Sequence, residues 1–348
     1  MRSMYPILVI LLTVIGSLWI SPAYAQFADE AGKTGEHGKL GEAQTQRWKV
    51  GMQITATSAC SKIMGYIPVP VDWPEQKVKV VDEDISPQAK ISYRPINKEM
   101  KLMLVNIPYL PAGQTAHAYV TYEVTRNTQL PPEKTDQYVF ADKRKLHGPM
   151  RMYLAPSPLI ESRSPKIRKL LKEIEAGDTD KAEDKSKAAE EEEETEGDEE
   201  EAKELTPWEQ VEVLYDWVQD NIEYKEGKIK GALAALRDGT GDCEELSSLF
   251  IALCRAKGVP ARTVWVPGHC YAEFYLKDAE GEGHWFPCQP AGSRAFGGIP
   301  EFRPVLQKGD NFRRPDDHKV TRYLSERLVV KATRSEPKYK FIRETVAK

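Results

Sequence analysis

Two hydrophobic rhythms follow one another along the chain, and the change of rhythm divides it. From Trp48 the apolar positions fall on every second residue: Trp48, Val50, Met52, Ile54 and Ala56 share one side, with polar residues between them. A period of two belongs to a strand with one buried face. Shorter runs of the same kind occur at 76–81, 90–93, 101–105 and 116–125, the last with Ala118, Val120, Tyr122 and Val124 in alternation. Pro68, Pro70, Pro74, Pro87, Pro95, Pro108, Pro111 and Gly113 punctuate them. Short strands at such spacing predict a β-sandwich-like domain over residues 46–145, and nothing in that stretch looks catalytic.

Beyond it the rhythm becomes helical. Residues 146–177 read as a linker that carries Pro156-Ser157-Pro158 and a short helix over 165–175. The second domain, 205–348, starts at Thr206-Pro207-Trp208-Glu209, a capping box with proline at the first helical position. Trp208, Val211, Leu214, Tyr215, Val218 and Ile222 then recur at helical spacing and read as core. A short helix at 232–237 and a loop at 238–242 lead to a longer helix headed by Cys243. In that helix Leu246, Leu249, Phe250 and Leu253 share a face, and Gly258 followed by Pro260 closes it. Strands are predicted at 263–267, 270–276 and 285–288, with a hairpin turn at 278–283 and further C-terminal strands. The fold class is α+β, a helix-borne cysteine packed on an antiparallel sheet and preceded by the sandwich.

Composition and charge alter this picture at two places. At the N-terminus, Arg2, the apolar run 7–20 and Ala23-Tyr24-Ala25 form the three parts of a secretory signal peptide, with cleavage expected after Ala25 and a loose leader over 26–45. The run is shorter than the roughly 18 residues a spanning helix needs. The expectation is a secreted or periplasmic protein with no stable membrane insertion after cleavage. The second place is 178–204, where 15 acidic residues stand against 4 lysines, a net −11 that leaves +6 on the remainder once Arg2 is set aside. Such a tract buries too little apolar surface to offset its ordering entropy and is expected to be a disordered insertion. It lacks the spacing of an EF-hand. No metal, nucleotide or other cofactor motif is visible, no cofactor is expected, and nothing indicates nucleic acid as a partner. The oligomeric state is left open.

The candidate chemistry lies between 241 and 292. Five cysteines occur, Cys60, Cys243, Cys254, Cys270 and Cys288, none spaced as a structural zinc site. Cys243 heads a helix, where unpaired N–H groups and the macrodipole favour a thiolate. Its acidic neighbours Asp242, Glu244 and Glu245 act the other way. His269 follows the turn Pro267-Gly268 at the start of a strand, and Gln289 ends the returning strand. With His269 set opposite Gln289, Cys270 falls opposite Cys288, and histidine and glutamine share one face with both of those thiols on the other. Directly opposed strand positions give poor bridge geometry, so Cys270 and Cys288 are expected to stay free. Nucleophile, base and orienting group then meet in space without meeting in sequence.

Gly241-Asp242-Cys243, the run Leu253-Cys254-Arg255-Ala256 with Gly258-Val259-Pro260-Ala261-Arg262, and His269 together resemble the transglutaminase-like superfamily, which is related in fold to the papain-like cysteine proteases. The resemblance covers about 206–298. It implies Cys243 as nucleophile and His269 as general base and acid. The family's third position is usually an Asp in a Trp-x-Pro-x-Asp-Pro context. Trp285-Phe286-Pro287-Cys288-Gln289-Pro290 supplies Gln289 instead, a neutral amide that orients imidazole without stabilising imidazolium by charge. Glu273 is the nearest alternative carboxylate by sequence.

The resulting expectation is a cysteine-dependent acyl-transfer enzyme, a peptidase or amidase acting on a peptide or protein substrate through a Cys243 thioester. The alternatives are a weak or inactive transglutaminase-like binding protein and a cross-linking protein-glutamine transglutaminase. Arylamine acyl transfer shares the logic of the site but has no support in the sequence.

Overall fold

The computed structural model describes residues 38–97, 99–177, 204–332 and 334–347. The expected signal peptide, most of the expected leader and almost all of the acidic tract lie outside them. Six strands open the fold: β1 (Leu40–Thr55), β2 (Cys60–Val69), β3 (Gln76–Ile85), β4 (Lys90–Ile96), β5 (Met100–Leu110) and β6 (Thr115–Gln129). The alternating residues of β1 point inward as their spacing predicts, with Met52, Ile54 and Ala56 wholly buried. They pack on Ile63, Ile67, Met103, Val105 and Val120 to fill a sandwich core.

The helices follow: α1 (Pro149–Met152), α2 (Pro165–Glu175), α3 (Pro207–Asn221), α4 (Ala232–Asp238) and α5 (Cys243–Lys257). The capping box of α3 is formed on both sides, Glu209 N–H to Thr206 Oγ1 at 3.3 Å and Thr206 N–H to Glu209 Oε2 at 2.7 Å. Strands β7 (Ala261–Val266), β8 (His269–Lys277) and β9 (Gly283–Gln289) form an antiparallel sheet against α5. Trp208 of α3 inserts its indole among Phe274, Phe286 and Phe296, with ring centroids at 5.6, 5.0 and 5.2 Å. The two halves share a sheet, because the short strand Gln307–Lys308 pairs with β7 on one side and with Met100 of β5 on the other.

Two expectations are corrected. The chain is already in β1 at Leu40, so the leader to residue 45 is too long: the polar side chains of 40–45 sit on an extension that pairs with β6. The C-terminal strands do not belong to the second domain. Strand β10 (Arg327–Ala332) pairs with β2, and β11 (Lys338–Val346) pairs with β1. The sandwich is completed by the far end of the chain, a long-range pairing that no local pattern announces. Strand β2 also goes unseen in the sequence. A bulge interrupts its pairing with β10 between Val329 and Lys331, opposite the stretch that holds Lys62 at φ 52°, and this breaks the alternation.

The last turn of α5 is fixed by a buried charge. Arg255, 4% exposed, directs Nη2 to both oxygens of Asp310 at 2.9 and 2.7 Å. Its remaining donors satisfy the carbonyls of Ala261 and Ala155 and the hydroxyl of Ser157. Asp310 also accepts the Thr263 N–H at 3.3 Å. Linker, helix, β7 and the loop at 310 are thereby tied at one point. Removing one partner of such a pair leaves an uncompensated buried charge. Asp310→Ala is expected to destabilise the protein by about 3–5 kcal/mol, read as a lowered midpoint in urea unfolding.

Candidate active site

Every candidate residue sits at the end of an element. Asp242 caps α5, accepting the Glu244 N–H at 2.8 Å, and Glu245 reaches back to the Asp242 N–H at 3.2 Å. Glu245 is almost fully buried and also accepts the N–H groups of Lys230 and Gly231 at 2.8 and 3.2 Å. Burial acts to raise its pKa, but these donors together with Asp242 hold it below the usual range. One carboxylate thus locks the loop at 230–231 and the helix start into a single unit. Cys243, the first residue of α5, is half-buried there.

The surroundings of Cys243 favour the anion. Its pKa is lowered to about 4. The largest cause is a hydrogen bond from the Cys270 thiol; burial opposes it, and the hydrogen bond and charge of His269 and the Cys270 backbone N–H add to the lowering. The acidic neighbours bear the repulsion instead. Asp242 is pushed up to about 6, first by burial and then by Glu245 alongside it. Glu244 is raised by burial, with the charge of Arg322 opposing. The sequence pointed to this competition, and the cysteine prevails because its hydrogen-bond donors converge on the sulfur.

His269 starts β8 immediately after Gly268, whose φ of 71° suits glycine at the turn. Its Nε2 lies 3.0 Å from Gln289 Oε1. The Gln289 amide nitrogen donates to the Ser293 carbonyl at 3.4 Å, which leaves Oε1 as the acceptor. Nε2 must therefore carry a proton, and Nδ1 is the nitrogen left to exchange one with Cys243. The β8–β9 register differs from the expected one by two residues: Ala272, not Cys270, faces Cys288, and Glu273 faces Pro287. A slip of two preserves the face of every side chain. His269 and Gln289 therefore still meet, as diagonal neighbours within reach of a long side chain. All five cysteines are free thiols.

Glu273 serves another purpose. It is wholly buried and pairs with Arg262 at 2.7 Å and Lys308 at 2.6 Å, and Lys308 continues to Glu75 at 2.8 Å. Burial acts to raise its pKa, but Lys308 and then Arg262 hold it down at about 2. This ionic chain braces β7, β8 and the 307–308 strand and is not available to His269.

Two contributors went unnoticed in the sequence. Tyr215, which reads there as part of an apolar stripe, donates its hydroxyl to the Gln289 carbonyl at 2.9 Å and accepts the Ala295 N–H at 2.9 Å. It sets the end of β9 from below; a hydroxyl within a core stripe was the available signal. Cys270 reads there as a core thiol, yet its sulfur lies 3.5 Å from the Cys243 carbonyl. Cys243 and His269 open onto a cleft of about 660 Å³ whose walls include Tyr224, Trp265, Arg322, Tyr323 and Arg343. A separate cavity of about 440 Å³, beside Trp73, Trp285 and the Arg262–Glu273 pair, contains none of the three candidates.

This arrangement can deliver a thiolate to a carbonyl carbon and a proton to a leaving group from one imidazole. Comparison with known proteins agrees in kind. Residues 196–290 match the model of the transglutaminase-like superfamily. A crystal structure described as that of "a Putative Cysteine Protease from Cytophaga hutchinsonii" is similar with a TM-score of 0.51 at 17% identity, covering 88% of this chain and 94% of that one, a likeness of fold. A second, "a Putative Protease from Parabacteroides distasonis", has a TM-score of 0.25 at 12% identity, over 74% of this chain and 48% of that one, and carries no argument. No curated protein matches the chain. Over residues 196–290 the chain is therefore similar to the transglutaminase-like superfamily, within an α+β fold like that of a structure described as a putative cysteine protease.

Proposed function

We propose that the protein is a cysteine-dependent acyl-transfer enzyme that hydrolyses peptide or protein amides through a Cys243 thioester, working outside the cytoplasm. The observation that carries the reading is the convergence of a thiolate-favouring Cys243, His269 and Gln289, with the 3.0 Å contact that fixes the imidazole. Cys243 Sγ attacks the carbonyl carbon, and the resulting oxyanion is stabilised by N–H groups at the start of α5, that of Cys243 among them. Protonated His269 gives its Nδ1 proton to the departing amine. The neutral imidazole then takes a proton from the water that resolves the thioester. An amine in place of water would make the product a transamide. Placement outside the cytoplasm rests on the N-terminal sequence pattern alone.

Gln289 favours one further reading, a binding protein with the same fold and little turnover, because a neutral amide supports imidazolium less than a carboxylate does. The two readings part at the thiol. With Cys243 ionised above about pH 4, the alkylation rate by iodoacetamide is expected to be level from about pH 5 to 8. The acid limb of turnover should have its midpoint near 4. A rate that climbs only above about pH 8, as for an ordinary thiol, supports the binding reading.

Incubated with a peptide and glutamine-donor library, wild type is expected to release products that Cys243→Ala does not, with and without an added amine. Identical profiles from the two proteins exclude the thiol mechanism, and amine incorporation identifies transfer. Gln289→Ala removes one orienting hydrogen bond, worth about 1 kcal/mol. Its kcat is expected to fall roughly fivefold, with KM little changed, since Gln289 faces His269 and not the cleft.

A further inference from the structure

Cys270 remains to be explained. It is 1% exposed and follows directly after His269. Its thiol donates to the Cys243 carbonyl oxygen at 3.5 Å, and its proximity also favours the Cys243 thiolate. The other thiols lie away from the candidate site. Cys60 points at the Ser58 carbonyl at 3.1 Å, and Cys254 and Cys288 are wholly buried in the core around α5.

We propose that Cys243 and Cys270 form a reversible oxidation site, in which a hydroperoxide oxidises Cys243 and Cys270 closes a Cys243–Cys270 disulfide. Access and burial divide the roles. Cys243 lines the 660 Å³ cleft, where a small peroxide reaches it, whereas Cys270 is sealed from solvent. A thiolate is the form that reacts with peroxide, and the surroundings of Cys243 favour it.

The chemistry balances in two steps. The Cys243 sulfur attacks the terminal peroxide oxygen, the O–O bond breaks, and the departing alkoxide takes a proton as an alcohol, or as water from hydrogen peroxide. This leaves a sulfenic acid on Cys243. Cys270 then loses its proton and attacks the Cys243 sulfur; the S–O bond breaks and the hydroxyl leaves as water with that proton. Two thiols give up two electrons and one peroxide accepts them. In the resting state Cys270 is held as a thiol by burial first, and next by its hydrogen bond to Cys243 and the negative charge there. Oxidation of Cys243 to the neutral sulfenic acid removes that charge, so the second thiol becomes easier to ionise once it has something to resolve. With the Cys270 sulfur already 3.5 Å from the Cys243 backbone carbonyl, side-chain rotation is the movement that brings the two sulfurs toward bonding distance. The disulfide in turn protects Cys243 from irreversible oxidation to the sulfinic acid.

The site does not depend on the hydrolytic reading, and its test needs no turnover. Full-length protein is treated with a small excess of hydrogen peroxide, its remaining thiols are alkylated, and its intact mass and peptide map are measured before and after dithiothreitol. Wild type is expected to become lighter by two hydrogens, with the Cys243 and Cys270 peptides joined, and to recover fully on reduction. Cys270→Ala, which keeps the position apolar, is expected to gain two or three oxygens on Cys243 that reduction does not remove. Wild type that over-oxidises Cys243 without joining the two peptides overturns the proposal. So does a Cys243 disulfide to any other cysteine. Should the alanine variant fail to fold, the wild-type map alone decides.

Discussion

The ion pair between Arg255 and Asp310 is the constraint from which the rest of the second half follows. Helix α5 is covered nearly all round, with Ser247, Ser248, Leu249, Phe250 and Cys254 all shielded from solvent. A helix buried on every side has no polar face to set its rotation. Arg255 supplies that setting by distributing its donors over the linker, β7 and Asp310. With the C-terminal end of the helix fixed there and its N-terminal end fixed by the Asp242–Glu245 box, the position of Cys243 is no longer free. The family-like run ending in Arg255 is thus a physical anchor for a thiol three turns away.

The electrostatics at the other end of α5 show why local charge counting misleads. Three acids flank Cys243 in sequence, and on that basis its thiolate should be disfavoured. Their geometry reverses the outcome. Glu245 turns away to bind backbone N–H groups, and Glu244 faces Arg322 at 3.4 Å. The sulfur itself receives donors only: the Cys270 thiol, His269 and the Cys270 N–H. At contact distance in a half-buried site, a directed hydrogen bond outweighs a charge whose oxygens point elsewhere.

What the sequence made legible was whatever rests on local rules. The α3 capping box, the span of α2, the inward face of β1 and the start of α5 at Cys243 all follow from residues within a few positions of each other. The pairing of His269 with Gln289 was legible for a subtler reason. The hairpin turn lies where it is expected, and the register differs by two from one with His269 directly opposite Gln289; the period of a strand is also two, so the faces are kept. What was not legible depends on contacts across the whole chain. Strands β10 and β11 return to β2 and β1 over more than 250 residues, and Cys270 touches Cys243 only because α5 lies over β8. Neither leaves a trace in local pattern.

That long return also shapes the site. The matched superfamily segment ends at residue 290, yet part of the cleft wall comes from beyond it: Arg322, Tyr323 and Arg343. Arg343 belongs to β11, within the sandwich, and its guanidinium is held by Glu326 at 2.5 Å, the Pro68 carbonyl at 3.2 Å and the Tyr323 hydroxyl at 3.3 Å. Arg126 of β6, wholly buried, reaches the Tyr271 hydroxyl on β8 at 2.8 Å and the Arg303 carbonyl. Sandwich and core therefore share a sheet, buried cations and one cleft. The thiol and imidazole are borne by core elements, and the shape of the space in front of them is set by both halves. Loosening the sandwich would therefore alter what fits against Cys243.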